Sequence, residues 1–263
     1  MENAICSDEL NHEIDYWPRK VFWDFHLRQQ RWAVIVAHRR CGKTVACIND
    51  LLLRAINEGK ENARYAYIAP YYAQAKSIAW DYLMRYSEPV RVNHNISELW
   101  VELMNGSRIR LFGGDSPDSL RGNYLDGVII DEMADTKPSL WGEVIRPLLA
   151  DRRGWAVFIG TPKGHNTFYD IFQYASINPN EWYSKVLRAS QTNIIAQEEL
   201  DDALKLMTVD QYQQEFECSF EAAILGAIYG VEMRLLTDAD RITKVECDPM
   251  FPVHTAWDLG FND

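Results

Sequence analysis

Between residues 32 and 44 an unbroken apolar run, Trp32-Ala33-Val34-Ile35-Val36-Ala37, ends in the polar turn His38-Arg39-Arg40-Cys41 and then in Gly42-Lys43-Thr44. A short, bounded run with β-branched residues fits a strand buried on both faces. After Thr44 the apolar positions Val45, Ile48, Leu52 and Ile56 fall at helical spacing, which predicts a helix ending near Gly59. A buried strand, a tight turn and an amphipathic helix in direct succession aim the first N–H groups of the helix at one point. That point, at the positive end of the helix, suits an anionic phosphate. In this geometry Lys43 reaches the outer phosphates of a nucleotide and the Thr44 hydroxyl ligates Mg²⁺. Residues Ala37, His38, Arg39, Arg40, Cys41, Gly42, Lys43 and Thr44 are therefore the candidate nucleotide-binding loop. The match to G-x-x-x-x-G-K-[ST] departs at one place, since Ala37 stands where the first glycine belongs.

The three residues Gly42-Lys43-Thr44 alone are weakly specific, so a second motif matters. A second apolar strand, Gly127-Val128-Ile129-Ile130, runs straight into Asp131-Glu132. Adjacent carboxylates at the end of a buried strand complete a phosphoryl-transfer site: Asp131 holds the Mg²⁺ shell, and Glu132 orients and deprotonates the attacking water. A third strand, Trp155-Ala156-Val157-Phe158-Ile159, ends in Gly160-Thr161-Pro162, and Thr161 there is a candidate sensor of the outer phosphate.

The rest of the chain frames these three segments. Tyr16-Trp17-Pro18 and Val21-Phe22-Trp23-Asp24-Phe25-His26 predict a short aromatic helix that packs on the sheet or covers the nucleotide base. Tyr65 to Ala69 reads as a strand stopped by Pro70, and residues 72–86 as a helix. Asn105-Gly106 between Glu98–Met104 and Ser107–Phe112 is a strong hairpin signal, with Arg108 and Arg110 alternating against Ile109 and Leu111. A helix is expected from Pro138 to about Leu149, another from Asn166 to Tyr174, a strand over Trp182–Leu187, and polar helices from Gln197 to Phe216.

Charge and cysteine usage exclude several classes. The net charge is −11, yet residues 1–189 hold 23 Lys+Arg against 23 Asp+Glu, and residues 190–263 hold 4 against 15. A chain that grips nucleic acid over its whole surface would be basic, so any such contact here is a local patch. The five cysteines (Cys6, Cys41, Cys47, Cys218, Cys247) and six histidines (His12, His26, His38, His94, His165, His254) lack metal spacing and read as reduced thiols and packing residues. No apolar run reaches the ~18 residues of a membrane span, and the acidic start carries no leader pattern, so a cytoplasmic protein is expected.

Together, Ala37 to Thr44, Tyr67-Ile68-Ala69-Pro70, Leu120-Arg121-Gly122, Val128-Ile129-Ile130-Asp131-Glu132-Met133-Ala134 and Gly160-Thr161-Pro162-Lys163-Gly164 resemble the large terminase subunit of tailed bacteriophages over about residues 15–263. The resemblance implies an α/β P-loop NTPase of the additional-strand class, a mostly parallel central sheet with helices on both faces, that hydrolyses ATP with Mg²⁺ to translocate double-stranded viral DNA into a procapsid. An alanine at the first loop glycine is normal for that family. Arg39 matches the arginine proposed to act in cis on the γ-phosphate, and Arg121 the one thought to enter a neighbouring subunit's site; a guanidinium suits both tasks. Thr161 matches the motif that couples hydrolysis to movement. The family's upstream adenine-contacting glutamine has no counterpart, because Val21-Phe22-Trp23 stands at that distance.

The resemblance also implies a domain plan: residues 1–225 as the ATPase, 226–252 as a linker, and 253–263 as the first strand of an RNase H-like nuclease domain, with Asp258 similar to its first metal-binding carboxylate. The remaining carboxylates of a two-metal site are absent, so no nuclease activity is expected. Implied partners are the DNA, the portal protein, the small terminase subunit and further copies in a ring, within the cytoplasm of an infected bacterium; an isolated chain is compatible with a monomer. Two other readings share the core motifs: a helicase-like DNA-dependent ATPase outside any capsid, and a nucleotide-binding docking module without turnover.

Overall fold

In the computed structural model, which describes residues 14–57, 60–221, 230–243 and 250, the run at 32 forms strand β1 (Trp32–Ala37), buried at every position. Successive side chains on a strand face opposite ways, and here Ala33, Ile35 and Ala37 enter one core while Trp32, Val34 and Val36 enter another. Both faces therefore need cover. The helix Lys43–Asn57 and the helical residues 72–86 bring Ile48, Leu51, Leu52, Ala79, Trp80 and Leu83 to the first core. Residues 140–148 and the helix Thr167–Ile177 bring Leu140, Val144, Ile145 and Phe168 to the second.

The other strands are β2 (Arg64–Ala69), β3 (Arg91–Asn95), β4 (Trp100–Leu103), β5 (Arg108–Gly113), β6 (Gly127–Asp131), β7 (Trp155–Gly160) and β8 (Trp182–Leu187). They form one sheet in the order β3-β4-β5-β2-β6-β7-β1-β8. Pairing is parallel from β5 to β8, and only β4 makes antiparallel contacts, with β3 and β5. This is the expected additional-strand α/β fold: β7 lies between β1, which leads into the loop, and β6, which carries Asp131. The register levels the ends of these three strands, setting Val36 beside Gly160 and Asp131 beside Ile159. Ligands of parallel α/β sheets bind at that carboxyl edge.

The hairpin about Asn105-Gly106 forms as expected, and its arginines are neutralised across the ladder. Arg108 lies 3.2 Å from Glu102 and over the Trp100 ring, and Arg110 reaches Glu98 at 4.0 Å. Two helices differ from a regular expectation: Ala75–Ala79 and Leu140–Ile145 are wound with wider π turns. No sequence pattern marks β3, because Arg91-Val92-Asn93-His94-Asn95 is an edge strand with mostly exposed side chains and no apolar alternation.

A buried ion cluster fastens the aromatic segment 19–28 to the first core. The Arg28 guanidinium donates at 2.8 Å to each carboxylate oxygen of Asp50, which also lies 3.2 Å from His26 Nδ1 and 3.3 Å from Arg54 Nε. Phe22 and Phe25 pack beside it. Because Asp50 lies in the helix that follows the loop, this cluster positions the loop from behind.

The chain divides into two units, Met1–Ala222 and Ala223–Asp263. In the second, residues Gly230–Asp238 form a helix inside the span expected to be a linker. Asp258, the strand over 253–263 and the helix end at Gly59 lie outside the described residues; the described helix closes at Asn57. Among the described residues no helix is long and apolar enough to cross a membrane.

Candidate nucleotide site

Three strand ends deliver Lys43, Glu132 and Thr161 to one place. Lys43 Nζ lies 2.6 Å from Glu132 Oε1 and donates to Thr161 Oγ1 at 3.2 Å. The Thr161 backbone N–H donates to Glu132 Oε2 at 3.3 Å, and its hydroxyl donates to the Ala37 carbonyl at 3.3 Å. Thr161 thus ties the end of β7 both to the end of β1 and to the carboxylate after β6. Gly160 permits the approach: a β-carbon there would lie 3.3 Å from Glu132 Cα and from Met133 N. Glu132 itself adopts a left-handed backbone (φ 44°), uncommon for a non-glycine residue, which turns its side chain back over the loop. Burial lowers the proton affinity of Lys43, but the charges of Glu132 and Asp131 outweigh it, so its pKa ends above the usual range.

Asp131 ends β6 and is buried. The Tyr67 hydroxyl, from the middle of β2, donates to Asp131 Oδ2, and Glu132 N–H donates to Oδ1 at 2.9 Å. Burial first, and the charge of Glu132 second, push the Asp131 carboxyl up to about 6 against the pull of Lys43 and of the tyrosine hydroxyl. Burial and Asp131 push Tyr67 well above its ordinary range, so its proton stays in place as a donor, with Thr44 hydrogen bonding to it from the other side.

Beside these groups lies a cavity of about 90 Å³ whose lining includes Thr44, Tyr67, Asp131 and Glu132 on one part and Pro70, Ile78 and Ala79 on another. A hydroxyl and a carboxylate are hard oxygen donors, and the cavity has room for several waters, as Mg²⁺ requires. Among the described residues no group of three or more His, Cys, Asp and Glu is placed to hold a metal. The Thr44 hydroxyl and Asp131 carboxylate alone fit a cation that would take its other ligands from phosphate oxygens and water.

The loop is shaped from both sides. Gly42 takes a positive φ of 93°, which glycine adopts without strain, and Arg40 one of 65°. Arg19 reaches across from the aromatic segment, donating through Nη1 to the Cys41 carbonyl at 2.8 Å. Next to it a cavity of about 170 Å³ is lined by Tyr16, Trp17, Arg19, Gly42, Val45 and Tyr86, among others. His38 is fully buried, donating its N–H to the Leu187 carbonyl at 3.0 Å with its Nε2 2.8 Å from Thr192 Oγ1. Burial lowers its pKa, which keeps it a neutral packing residue.

The two candidate arginines stand apart from this cluster. Arg39 is paired through its side chain with Glu215, its N–H donates to the Glu215 carbonyl at 3.1 Å, and its side chain is 63% exposed. Arg121 is 61% exposed and pairs with Asp118 at 2.9 Å. Cys41 and Cys47 are buried free thiols, both pushed up chiefly by burial.

Three residues of this site are not apparent from sequence reasoning. Tyr67 reads only as part of a strand and of the Tyr67–Pro70 motif, with no role of its own, although a hydroxyl inside a buried strand needs a partner, and that requirement is the available signal. Arg19 and Glu215 act on the loop from 22 and 176 residues away, and no local pattern marks them.

Comparison with known proteins agrees with this geometry. A family described as terminase large subunit, T4likevirus-type, N-terminal, matches residues 34–233. The large terminase subunit of Escherichia phage T5 is 24% identical over 198 residues, which cover 73% of this chain and 44% of that protein. The chain spans less than half the length of the curated relatives it matches. Among solved structures, the large terminase ATPase domain of Thermus phage P74-26 superposes with a TM-score of 0.70 at 25% identity, over 82% of this chain and 98% of that one. The large terminase of another thermophilic bacteriophage, solved in complex with ADP, has the same fold, with a TM-score of 0.63 at 13% identity, covering 73% of this chain and 48% of that one.

Proposed function

Because the chain belongs to the T4likevirus-type terminase large subunit family, which it matches through the family's N-terminal part, we propose that it is the ATP-hydrolysing motor that drives double-stranded viral DNA into a procapsid. The observation that carries the reading is the meeting of Lys43, Glu132 and Thr161 within 2.6–3.3 Å at the ends of three adjacent strands. A lysine, a carboxylate and a hydroxyl converging on a helix N-terminus suit phosphoryl transfer, which needs positioning and charge stabilisation more than covalent chemistry.

In this reading the N–H groups of residues 40–44 bind the α and β phosphates, those of His38 and Arg39 being held by the Leu187 and Glu215 carbonyls, and Lys43 leaves its contact with Glu132 for the γ-phosphate. Glu132, released from the lysine, accepts a proton from the attacking water. Thr161 links the γ-phosphate position to β7 and hence to the rest of the sheet. Thr44 and Asp131 would hold Mg²⁺, which would supply positive charge against the negative charge that develops in phosphoryl transfer. The aromatic cavity beside Gly42 receives the base, and the ADP complex of the thermophilic phage relative supports an adenine nucleotide as the ligand. Arg39 acts in cis after leaving Glu215, or Arg121 acts in trans in a ring. Portal protein, small terminase subunit and DNA remain the proposed partners, and residues 253–263 the proposed start of a nuclease domain.

The test is phosphate release from ATP, with and without duplex DNA, by the wild type and Lys43→Ala. Turnover lost in the variant and raised by DNA in the wild type is expected. Equal turnover by both proteins sinks the ATPase reading, and hydrolysis indifferent to DNA sinks the translocation reading.

A further inference from the structure

At the amino edge of the sheet two arginines stack on one indole, and a third lies close enough for its charge to act on one of them. Trp32 opens β1, and the guanidinium carbons of Arg31 and Arg146 lie 4.3 and 5.0 Å from its ring centroid. Arg31 also donates from Nε to the Gly154 carbonyl at 2.8 Å and from Nη2 to the Leu149 carbonyl at 3.4 Å, which clamps the turn between residues 149 and 154 onto the start of β1. That turn presents Arg153 on a left-handed backbone with φ 50°, a conformation that favours glycine or asparagine.

Four exposed arginines described above have carboxylate partners: Arg108 with Glu102, Arg110 with Glu98, Arg121 with Asp118, Arg39 with Glu215. Arg31, Arg146 and Arg153 have none among the described residues. Partial burial and then the charges of Arg146 and Arg153 lower the proton affinity of Arg31, with no acidic group opposing them. Cations gathered without a paired carboxylate repel one another, stacking on Trp32 offsets only part of that repulsion, and a bound anion would relieve it.

We propose that Arg31 and Arg146 on Trp32, with Arg153 on the turn that Arg31 clamps, form a backbone-phosphate contact for duplex DNA. The inference rests on the motor reading above. Guanidinium forks match phosphate oxygens, and contacts to phosphate carry no sequence preference, as a translocating motor needs. Residues 1–189 are neutral overall, so the positive charge here is local and not part of a general basic surface. The adjoining groove of about 500 Å³ is lined by Trp32, Trp141, Arg146 and Trp182 and also by Asp170 and Glu181, whose carboxylates disfavour a phosphate strand over that part of the lining.

The experiment is fluorescence anisotropy of a mixed-sequence duplex with the full chain, titrated at several salt concentrations. Arg146→Gln/Arg153→Gln is the test variant, because Arg31 has a clamping role, and Arg146→Lys/Arg153→Lys is the charge-keeping control. Losing two phosphate contacts is expected to flatten the slope of log affinity against log salt by about 2 and to weaken binding about tenfold at 0.1 M salt. The lysine control retains most of the slope, and DNA-free phosphate release stays at the wild-type rate. A glutamine variant that keeps the wild-type slope overturns the inference while leaving the motor reading intact, as does one that loses only self-association. A wild type that binds no duplex even at low salt overturns the motor reading and this inference together.

Discussion

Replacing Asp50 by asparagine tests how the loop is held in place. Asp50 is 2% exposed and accepts two hydrogen bonds from Arg28, itself buried, with Arg54 and His26 completing the cluster. The variant keeps the shape and removes the charge, leaving the Arg28 guanidinium buried without its counter-ion. Breaking one partner of such a pair costs about 3–5 kcal/mol, more than the whole effect of most surface changes. For a domain of this size that loss lowers the midpoint of thermal unfolding by roughly 6–20 °C. Circular dichroism melts and urea titrations at pH 7 read it directly.

The pH dependence supplies a second check. Burial pushes the Asp50 carboxyl upward, but Arg28 and Arg54 with their hydrogen bonds overcome it and hold it far below the usual carboxylate range. A depressed folded-state pKa gives stability that is fully present above the unfolded value of about 3.9 and is lost as pH falls through the folded value. The gap between wild type and variant is therefore wide at pH 7 and narrows below about pH 4. A loss under about 1 kcal/mol at pH 7, or a gap independent of pH, refutes the reasoning. The double replacement Arg28→Met/Asp50→Leu is expected to recover most of the loss.

Two further outcomes concern the carboxylate and its tyrosine. Tyr67→Phe removes the hydroxyl that orients Asp131, so the Mg²⁺ concentration for half-maximal phosphate release is expected to rise about tenfold while metal-free nucleotide affinity is unchanged; an unaltered Mg²⁺ requirement contradicts this. Asp131 binds a cation only when ionised, and its carboxyl is pushed up to about 6. Turnover at limiting Mg²⁺ should fall as pH drops through about 6, and excess Mg²⁺ should move that fall to lower pH; a profile indifferent to Mg²⁺ rules the assignment out.

Much of this arrangement is legible because it is written in local pattern. Burial on both faces makes β1, β6 and β7 continuous apolar runs, and the polar residue that ends each run falls at the carboxyl edge of the sheet. Asn105-Gly106 fixes its hairpin through backbone preference alone. What stays hidden depends on chain crossings. Tyr67 meets Asp131 only because β2 and β6 are neighbours in the sheet, although the two residues are 64 positions apart in sequence. Arg39, which the sequence suggests as a group facing the phosphate, is captured by Glu215 because residues 189–216 fold back over the loop, with Ala189 N–H donating to the Phe216 carbonyl. Arg108 and Arg110, which alternate with Ile109 and Leu111 in sequence, pair with Glu102 and Glu98, whereas Arg31 and Arg146 come from separate segments that topology brings to Trp32. The charge excess at the end of the chain likewise carries no hint that residues Gly230–Asp238 are helical.

The division of labour between Lys43 and Glu132 is the point on which the mechanism turns, and Glu132→Gln isolates it. The substitution keeps size and hydrogen-bonding capacity but removes the proton acceptor, so ATP affinity and phosphate release are measured on the same samples of wild type and variant. The expected result is ATP bound at least as tightly, because Lys43 no longer has a competing carboxylate 2.6 Å away, with phosphate release slowed about 100-fold or more. Release at the wild-type rate by the glutamine variant would contradict the assignment of Glu132 as the base and of this cluster as the hydrolytic site.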